Sequence, residues 1–292
     1  KKNTMKILII GGNGFLGTHL AISLKKRGHK VSIYDSKRVN AFKEKIKTIF
    51  GNINDYKKLD KVIKNKDIVY NYAAISDIEE SIRKPLETIK TNILGNTLVL
   101  DLCVKHSVKK FIFGSTIYVH SSQGSFYKVS KQASELIIDE YKKKFKLNYT
   151  ILRFGTIYGP GSSLNNGLNK IVRKALKEQK LEYSGSKMAK RRFIHVQDST
   201  DVSIEILRKK YNSQNILISG NKLINITKVL KKVGKILKIT KKPIYKHSTN
   251  KGHYNSNPYN YKPKKDKKIL INSKRNLDEG IFELIKENKK LL

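Results

Sequence analysis

Residues 5–17 read Met-Lys-Ile-Leu-Ile-Ile-Gly-Gly-Asn-Gly-Phe-Leu-Gly. The run from Met5 to Ile10 is typical of a buried β-strand, and the apolar spacing from Leu16 to Arg27 is typical of a helix that stops at Gly28. The glycines therefore lie between a strand and a helix, which is the setting of a dinucleotide-binding loop.

The spacing of the glycines gives each of them a role in such a loop. Gly11 would permit the tight turn, Gly14 would let the backbone approach a pyrophosphate, and Gly17 would let the helix pack against the strand. The pyrophosphate would then bind N–H groups at the positive end of the helix dipole. Phe15 and Leu16, which begin the helix, belong to the same predicted site.

A carboxylate follows the second predicted strand. Val31–Tyr34 is a short apolar strand that ends at Asp35, where a carboxylate can accept both ribose hydroxyls of adenosine. NAD is favoured over NADP, because a 2′-phosphate at this position would meet a like charge. Lys37 and Arg38 lie close enough to offset that repulsion, so NADP stays an alternative.

The remainder of the first half continues the alternation of strands and helices. Further strands are predicted at Ile68–Tyr72, Phe111–Phe113 and Tyr149–Leu152, with helix-length stretches between them. Such alternation implies right-handed crossovers. We therefore predict an α/β fold with a Rossmann-like, doubly wound parallel sheet.

Composition suggests a division into two domains. We predict an NAD-binding domain over residues 5–162, rejoined by about residues 193–220, and a smaller, discontinuous substrate-binding domain over residues 163–292. Residues 247–268 are almost free of aliphatic side chains and contain three tyrosines, so they are either a lid over the substrate or a solvated loop. Apolar spacing returns over residues 269–285 and should close the fold.

The chain is strongly basic, with 62 basic and 23 acidic residues among 292 and a formal charge of +39. Lysines are spread through nearly every segment and no nucleic-acid-binding motif accompanies them, so we expect no nucleic-acid partner. The single cysteine, Cys103, excludes an intrachain disulfide and fits a reducing cytoplasm. No apolar run approaches the roughly 20 residues that span a bilayer, so no membrane contact is expected. No metal site is predicted.

A tyrosine and a lysine four residues apart form the predicted catalytic pair. Tyr127 and Lys131 lie at the start of a helix predicted over residues 130–142, and positions i and i+4 share one helical face. A phenol with a pKa of about 10 is a poor base at neutral pH. A nearby ammonium favours the phenolate, and each unit of lowering requires about 1.4 kcal/mol. Lys131 would also reach the nicotinamide ribose.

A hydroxyl group precedes this pair in the sequence. The predicted strand Phe111–Phe113 runs into Gly114-Ser115-Thr116 and so places Thr116 at the carboxyl end of a strand, where ligands of open α/β sheets bind. Thr116 and Tyr127 are separated by one loop, which allows both to contact a single alcohol. Alternatively, Ser115 and Thr116 only satisfy backbone groups at the end of the strand.

Taken in order, these motifs resemble the extended short-chain dehydrogenase/reductases, and within them the NAD-dependent epimerase/dehydratase enzymes such as UDP-glucose 4-epimerases. The resemblance covers residues 5 to about 200 well and the remainder loosely. It rests on the glycine loop from Gly11, Asp35, Ala73-Ala74, Asn92, Ser115-Thr116, Tyr127 with Lys131, Tyr158-Gly159-Pro160-Gly161 and Arg191-Arg192-Phe193-Ile194-His195-Val196.

The resemblance implies a role for each matching position. Tyr127 is expected to be the catalytic base, Lys131 its activator and ribose ligand, and Thr116 the hydroxyl that hydrogen-bonds the reacting oxygen. The substrate site would include Thr116, Tyr127, Thr156 and Arg191, with Arg191 on the nucleotide-sugar phosphate unless it is an ordinary surface arginine. The expected cofactor residues are Gly11, Gly14, Phe15, Leu16, Gly17, Asp35, Asn52, Ile53, Ala73, Ala74, Asn92 and Lys131. Of these, Asn52-Ile53 and Ala73-Ala74 are also compatible with ordinary loops.

The chain departs from the family pattern at several positions. Ile117 and Tyr118 follow Thr116 where the sugar 4,6-dehydratases carry an Asp-Glu pair, so dehydration is not expected. Thr156 replaces a frequent asparagine and Arg192 a frequent aspartate, which leaves the sugar and phosphate contacts open. The segment between Thr116 and Tyr127 is short, so we expect the rim of the substrate pocket to be smaller on that side.

The expected function is that of a nucleotide-sugar 4-epimerase that uses NAD and a UDP-linked substrate and passes through a keto-sugar. The resemblance implies a homodimer through the helices near residues 92–105 and 127–144. One alternative is a net dehydrogenase or keto-sugar reductase with the same residues. Another is a non-catalytic dinucleotide- or RNA-binding protein, which only the charge supports.

Overall fold

The structure is a computed structural model that describes residues 4–37, 46–246 and 275–292, together with the backbone of residues 267–268. Arg38, the predicted lid or loop up to residue 266, and the start of the final apolar stretch lie outside the described residues.

Fourteen strands occur in the described part of the chain. Eight of them form one parallel sheet in the order β14-β11-β6-β5-β4-β1-β2-β3, and the other six form three two-stranded sheets. The strands are β1 (Lys6–Ile10), β2 (Lys30–Asp35), β3 (Lys47–Phe50), β4 (Ile68–Asn71), β5 (Lys110–Thr116), β6 (Tyr149–Phe154), β7 (Thr156–Tyr158), β8 (Glu182–Ser184), β9 (Lys190–Arg191), β10 (Phe193–His195), β11 (Gln214–Ile218), β12 (Ile224–Asn225), β13 (Ile244–Lys246) and β14 (Lys267–Lys268).

Helices connect these strands and cover the sheet. A π-helical segment, Lys90–Leu94, joins α4 to α5, and short 3₁₀ turns occur at Ile117–His120 and Lys209–Tyr211. The α-helices are α1 (Phe15–Lys26), α2 (Tyr56–Ile63), α3 (Ile78–Arg83), α4 (Pro85–Ile89), α5 (Gly95–Lys105), α6 (Ser125–Phe145), α7 (Gly167–Glu178), α8 (Val196–Glu205), α9 (Ile226–Leu237) and α10 (Leu277–Leu291).

The doubly wound parallel α/β fold predicted from the sequence is confirmed. Each strand predicted in the first half is present, whereas β3, β11 and β14 also belong to the sheet and were not predicted as strands; β14 lies at the end of the predicted lid or loop of residues 247–268. The predicted start of the catalytic helix is wrong, since α6 begins at Ser125, five residues before Ser130. A left-handed glycine, Gly124 with φ of +112°, starts the helix there, and Tyr127 lies in its first turn.

Three apolar cores stabilise the molecule. One lies on the sheet face covered by α2, α5 and α6, and the second on the face covered by α1 and α8. A third core joins α7, α9 and α10 and includes Val172, Val229 and Leu284, all of them fully buried. The division into an NAD-binding and a substrate-binding domain stays a prediction.

The topology brings the predicted site residues to one edge of the sheet. All strands of the main sheet run parallel, so their carboxyl ends face the same side, where ligands of open α/β sheets bind. Gly11, Asp35, Ala73, Thr116 and Thr156 each lie at or just beyond such a strand end. No helix in the described ranges is long and apolar enough to cross a membrane.

Candidate active site

The glycine loop is folded tightly between β1 and α1. Gly11 has a φ of +79°, and its N–H donates to Tyr34 O at 2.9 Å. A Cβ atom on Gly11 would lie 2.4 Å from Ala73 N, and one on Gly17 would lie 2.4 Å from Gly11 O. Gly14 precedes α1 and has no side chain to cap it, so the first N–H groups of the helix are available to an anion.

A cavity of about 240 Å³ opens beside this loop. Six of the predicted cofactor residues line it, and Tyr34, Lys37, Ile75, Glu80 and Thr91 also contribute to its wall. The six are Gly11, Asp35, Asn52, Ile53, Ala73 and Ala74. Residues far apart in the sequence thus form one cavity next to the helix N-terminus, which is the arrangement that a dinucleotide requires.

Two backbone donors hold Asp35 in place at the mouth of the cavity. Its Oδ2 accepts from Asn13 N and its Oδ1 from Lys37 N, each at 2.9 Å. An ionised carboxylate has about four acceptor positions, so both oxygens can still accept ribose hydroxyls. Asn13 also donates through Nδ2 to Lys37 O at 2.6 Å, which ties the glycine loop to the residues after β2.

Tyr34 supports the opposite wall of the cavity, a role that the sequence analysis missed. Its hydroxyl donates to Asn52 O at 2.9 Å, and a Cβ atom on Gly51 would lie only 2.1 Å from that hydroxyl. Burial, with a smaller effect of Asp55, raises the pKa of Tyr34 to about 12, so the phenol stays a hydrogen-bond donor. Two features of the sequence could have indicated this role of Tyr34: an aromatic residue directly before Asp35, and a glycine, Gly51, directly before Asn52.

The structure brings Thr116 and Tyr127 together at the carboxyl end of β5. Burial raises the pKa of Tyr127 to about 12, and a hydrogen bond with the Thr116 side chain lowers it in part. Thr116 Oγ1 also accepts from Tyr118 N at 3.3 Å, which fixes the threonine at the start of the 3₁₀ turn. At neutral pH the phenol is therefore protonated, and it lies near the predicted substrate-binding hydroxyl of Thr116.

Lys131 lies one helical turn beyond Tyr127 and is almost completely buried. Its Nζ donates to Gly114 O at 2.7 Å and lies 4.5 Å from the centre of the Phe113 ring. Burial lowers the pKa of Lys131 to about 7, although the Glu135 carboxylate acts in the opposite direction. Acidification of Tyr127 by this side chain stays a prediction, because the hydrogen bond that lowers the phenol pKa comes from Thr116.

A buried ion pair between Glu135 and Arg153 lies next to the predicted catalytic residues and was not predicted. Glu135 Oε1 accepts from Ser115 Oγ at 2.5 Å and from Arg153 Nε at 3.1 Å, while Oε2 accepts from Arg153 Nη2 at 2.5 Å. The pair fastens α6 to the ends of β5 and β6, beside Thr116. The sequence shows that Lys131 and Glu135 lie four residues apart and hence on one helical face. It does not show that Arg153, on a separate strand, is the partner of Glu135.

Asn92 is buried beside the cofactor cavity and is not among the residues of its wall. Its amide accepts from Ile75 N at 2.9 Å and donates to Ile75 O at 3.1 Å and to Ser130 Oγ at 2.9 Å. Ser130 Oγ in turn donates to Tyr127 O at 2.8 Å. Asn92 thus connects Ile75, in the segment after β4 that lines the cavity, to helix α6, and π-helical segments like its own are frequent at functional sites. Its direct contact with a cofactor stays a prediction.

Two of the four predicted substrate residues, Thr156 and Arg191, lie on short strands beyond the main sheet. Thr156 in β7 is in register with Phe193 in β10, and Arg191 lies in β9, where its Nη1 donates to Lys190 O at 2.9 Å. Arg192 donates to Asn221 O at 2.6 Å. Contacts of Thr156 and Arg191 with a substrate stay predictions.

No carboxylate occupies the positions that follow Thr116. Ile117 is buried against Leu217 and Tyr118, so an apolar side chain fills the space next to the predicted catalytic threonine. That this site does not eliminate water by a dehydratase acid pair stays a prediction.

Comparison with known proteins agrees with this geometry. Residues 7–226 match the sequence model of the NAD dependent epimerase/dehydratase family. The protein CapI of Staphylococcus aureus is 31% identical over 245 residues, which cover 74% of this chain and 73% of that protein. The dTDP-D-glucose 4,6-dehydratase of Dictyostelium discoideum is 30% identical over 70% of this chain, which spans only 56% of the length of that enzyme.

A solved structure shows the same fold. The UDP-glucose 4-epimerase of Thermotoga maritima, determined with UDP-glucose, superposes with a TM-score of 0.86 and covers 98% of this chain and 99% of its own. Its sequence identity to this chain is 22%. The likeness at this identity establishes the shared architecture.

Proposed function

The chain belongs to the NAD-dependent epimerase/dehydratase family, and from this membership we propose that it is a nucleotide-sugar 4-epimerase. The observation that carries the proposal is that Thr116 and Tyr127 come together at the carboxyl end of β5, close enough for the threonine side chain to lower the pKa of the phenol in part, with Lys131 buried one helical turn away at the same strand end. Ile117 in place of an acid favours epimerisation over dehydration.

The described residues fit NAD. The cavity beside the glycine loop has glycine where a Cβ atom would collide with backbone, a helix N-terminus for the pyrophosphate and Asp35 for the adenosine ribose. When bound, NAD supplies the temporary acceptor for the hydride that leaves the sugar carbon. Asp35 supports NAD over NADP, since its carboxylate would repel a 2′-phosphate.

The protein's own residues would move the proton. Tyr127 takes the proton of the sugar hydroxyl at the carbon that is oxidised, and Thr116 hydrogen-bonds the same oxygen and keeps it in line. The keto-sugar that results would turn within the pocket, and Tyr127 would return the proton to the same oxygen at the end of the cycle. Lys131 stabilises the phenolate and binds the nicotinamide ribose.

The substrate is proposed to be a UDP-linked sugar. Arg191 would pair with the phosphates through two parallel N–H bonds, and Thr156 would contact the sugar from the neighbouring strand. The Thermotoga epimerase, which shares the fold, was solved with UDP-glucose. The excess of lysine over the surface would increase the local concentration of such anions.

A homodimer in the cytoplasm completes the proposal. On α6, Val129 and Leu136 are 49% and 68% exposed and lie seven residues apart, hence on one helical face, and Leu94 is 49% exposed beside α5. Exposed apolar residues along two adjacent helices favour a helix-to-helix contact between two copies. Cys103, the single cysteine of the sequence, is buried and free, as a reducing compartment allows.

Product analysis tests the proposed reaction. The purified chain is incubated with UDP-glucose, UDP-N-acetylglucosamine or UDP-glucuronic acid without added NAD, and the sugars are separated by chromatography. A 4-epimer formed without net change in NAD supports the proposal. Stoichiometric NADH, or turnover only with added NADH, would instead show a net dehydrogenase or keto-sugar reductase. Tyr127→Phe should lose more than about 100-fold in kcat and keep NAD binding.

A further inference from the structure

The catalytic helix begins in a strained conformation. Gly124, the residue before α6, has a φ of +112° and carries no side chain that could cap the helix. Ser125, the first residue of α6, has a φ of +47°, which costs a non-glycine residue about 1–2 kcal/mol. The first N–H groups of any helix also lack intrahelical acceptors. Groups outside α6 must therefore hold its first turn, where Tyr127 lies.

Ser81 on the neighbouring helix α3 makes such a contact. Its Oγ accepts a hydrogen bond from Tyr127 N at 3.3 Å across 46 residues of sequence. The hydroxyl proton is already used, because Oγ donates to Ile78 O at 2.7 Å within α3. Ser81 is fully buried, so water has little access to its oxygen.

Helix α3 also belongs to the wall of the cofactor cavity. Ile75, just before the helix, and Glu80 within it both line the cavity. The Asp77 side chain caps α3 by accepting from Glu80 N at 2.9 Å. The segment from Ile75 through α3 therefore contacts the cofactor cavity through Ile75 and Glu80 and the predicted catalytic tyrosine through Ser81.

We propose that Ser81 is a positioning residue that caps the catalytic helix from outside and sets the position of Tyr127 relative to Thr116 and the cofactor. This inference rests on the proposed function. The bonded amide belongs to Tyr127 itself, so loss of the bond lets the first turn of α6 shift and the phenol with it. A displacement of about 1 Å at a reacting group can cost up to 100-fold in rate.

The first test measures the amide directly and uses the unmodified chain. Tyr127 is the third residue of α6, so its N–H has no acceptor within the helix. Hydrogen exchange followed by NMR should nevertheless show this amide protected at least about 5-fold against its intrinsic rate, since Ser81 is its acceptor. Exchange at the intrinsic rate overturns the inference even if the chain is an active epimerase.

The second test compares Ser81→Ala with the matched control Thr88→Val. Thr88 is also fully buried, and its hydroxyl donates to Lys84 O at 2.8 Å within its own helix. Ser81→Ala should raise exchange at Tyr127 about 3- to 10-fold and lower kcat at least 3-fold, with KM and bound NAD unchanged. Thr88→Val should leave both quantities within about 2-fold of wild type.

The results separate this inference from the proposed function. Unchanged exchange and unchanged kcat in Ser81→Ala overturn the role of Ser81. An equal loss in Thr88→Val overturns it too, because a general packing effect would then explain both variants. If the wild-type chain converts no UDP-sugar, the proposed function fails, whereas the exchange rate of the Tyr127 amide still decides whether Ser81 caps the helix.

Discussion

Removal of the Arg153 guanidinium should destabilise the protein far more than removal of an exposed cation. Arg153 and Glu135 have side chains only 9% and 10% exposed and share two hydrogen bonds, at 3.1 and 2.5 Å. Arg153→Met would remove both guanidinium bonds to the buried Glu135 carboxylate and leave it the hydrogen bond from Ser115 and the charge interaction with Lys131. Breaking a buried pair from one side costs about 3–5 kcal/mol, because a charge is left uncompensated.

The same structure supplies a control and a compensating variant. Lys143 and Glu140 form a pair that is 66% and 58% exposed, so Lys143→Met should change the free energy of unfolding far less than Arg153→Met does. Replacing both buried partners, as Arg153→Met with Glu135→Leu, removes the stranded charge and should restore about 1–3 kcal/mol relative to Arg153→Met. The losses in the two single buried variants should therefore not add.

Urea unfolding followed by circular dichroism measures these differences, provided that all variants share one m-value. The free energy of unfolding should fall by about 3–5 kcal/mol in Arg153→Met and recover in part in the double variant. A loss below about 1 kcal/mol in Arg153→Met, or a double variant less stable than both single variants, would refute the argument that burial makes this pair costly to break.

Three further results are expected. First, kcat should rise with pH through about 7 and then level off, because the Tyr127–Lys131 pair holds two protons while Lys131 is charged and must lose one before a phenolate can form. Glu135→Gln removes the charge that favours protonated Lys131 and should move this rise to lower pH. A profile of kcat that is flat from pH 5 to 9 would contradict the assignment. Second, Tyr34→Phe should weaken NAD binding roughly 2- to 10-fold in calorimetry, because it loses the bond to Asn52 O. Tyr70→Phe loses a hydrogen bond to Ser203 O away from the cavity wall and should leave NAD binding unchanged. Equal losses of NAD affinity in the two variants would argue against a role of Tyr34 in the cavity. Third, Gly17→Ala should abolish co-purification of NAD, because its Cβ atom would collide with the backbone of the glycine loop. Gly28→Ala, whose Cβ atom meets no atom of the described residues beyond its chain neighbours within 4 Å, should cost only about 1–2 kcal/mol in thermal unfolding and retain the cofactor. NAD retained by Gly17→Ala would contradict the proposed role of the glycine loop.

The sequence by itself determined the fold class and the position of the cofactor loop. The signals concerned are local: an apolar run, glycines at fixed spacing, a helical apolar pattern and an acid at the end of the second strand, all within residues 5–35. Each reflects a steric or periodic requirement of the backbone that neighbouring residues already express. The spacing of Tyr127 and Lys131 belongs to the same class, since four residues define one face of a helix.

Only the tertiary structure decided which side chains support these residues. Ser81 lies 46 residues from Tyr127, Asn92 lies 38 from Ser130, and Arg153 lies 18 from Glu135. Their contacts depend on which strands and helices become neighbours in the sheet, and no local pattern encodes that order. The lowered pKa of Lys131 could likewise not be predicted from the sequence, because it depends on how completely the folded chain excludes water from one ammonium group.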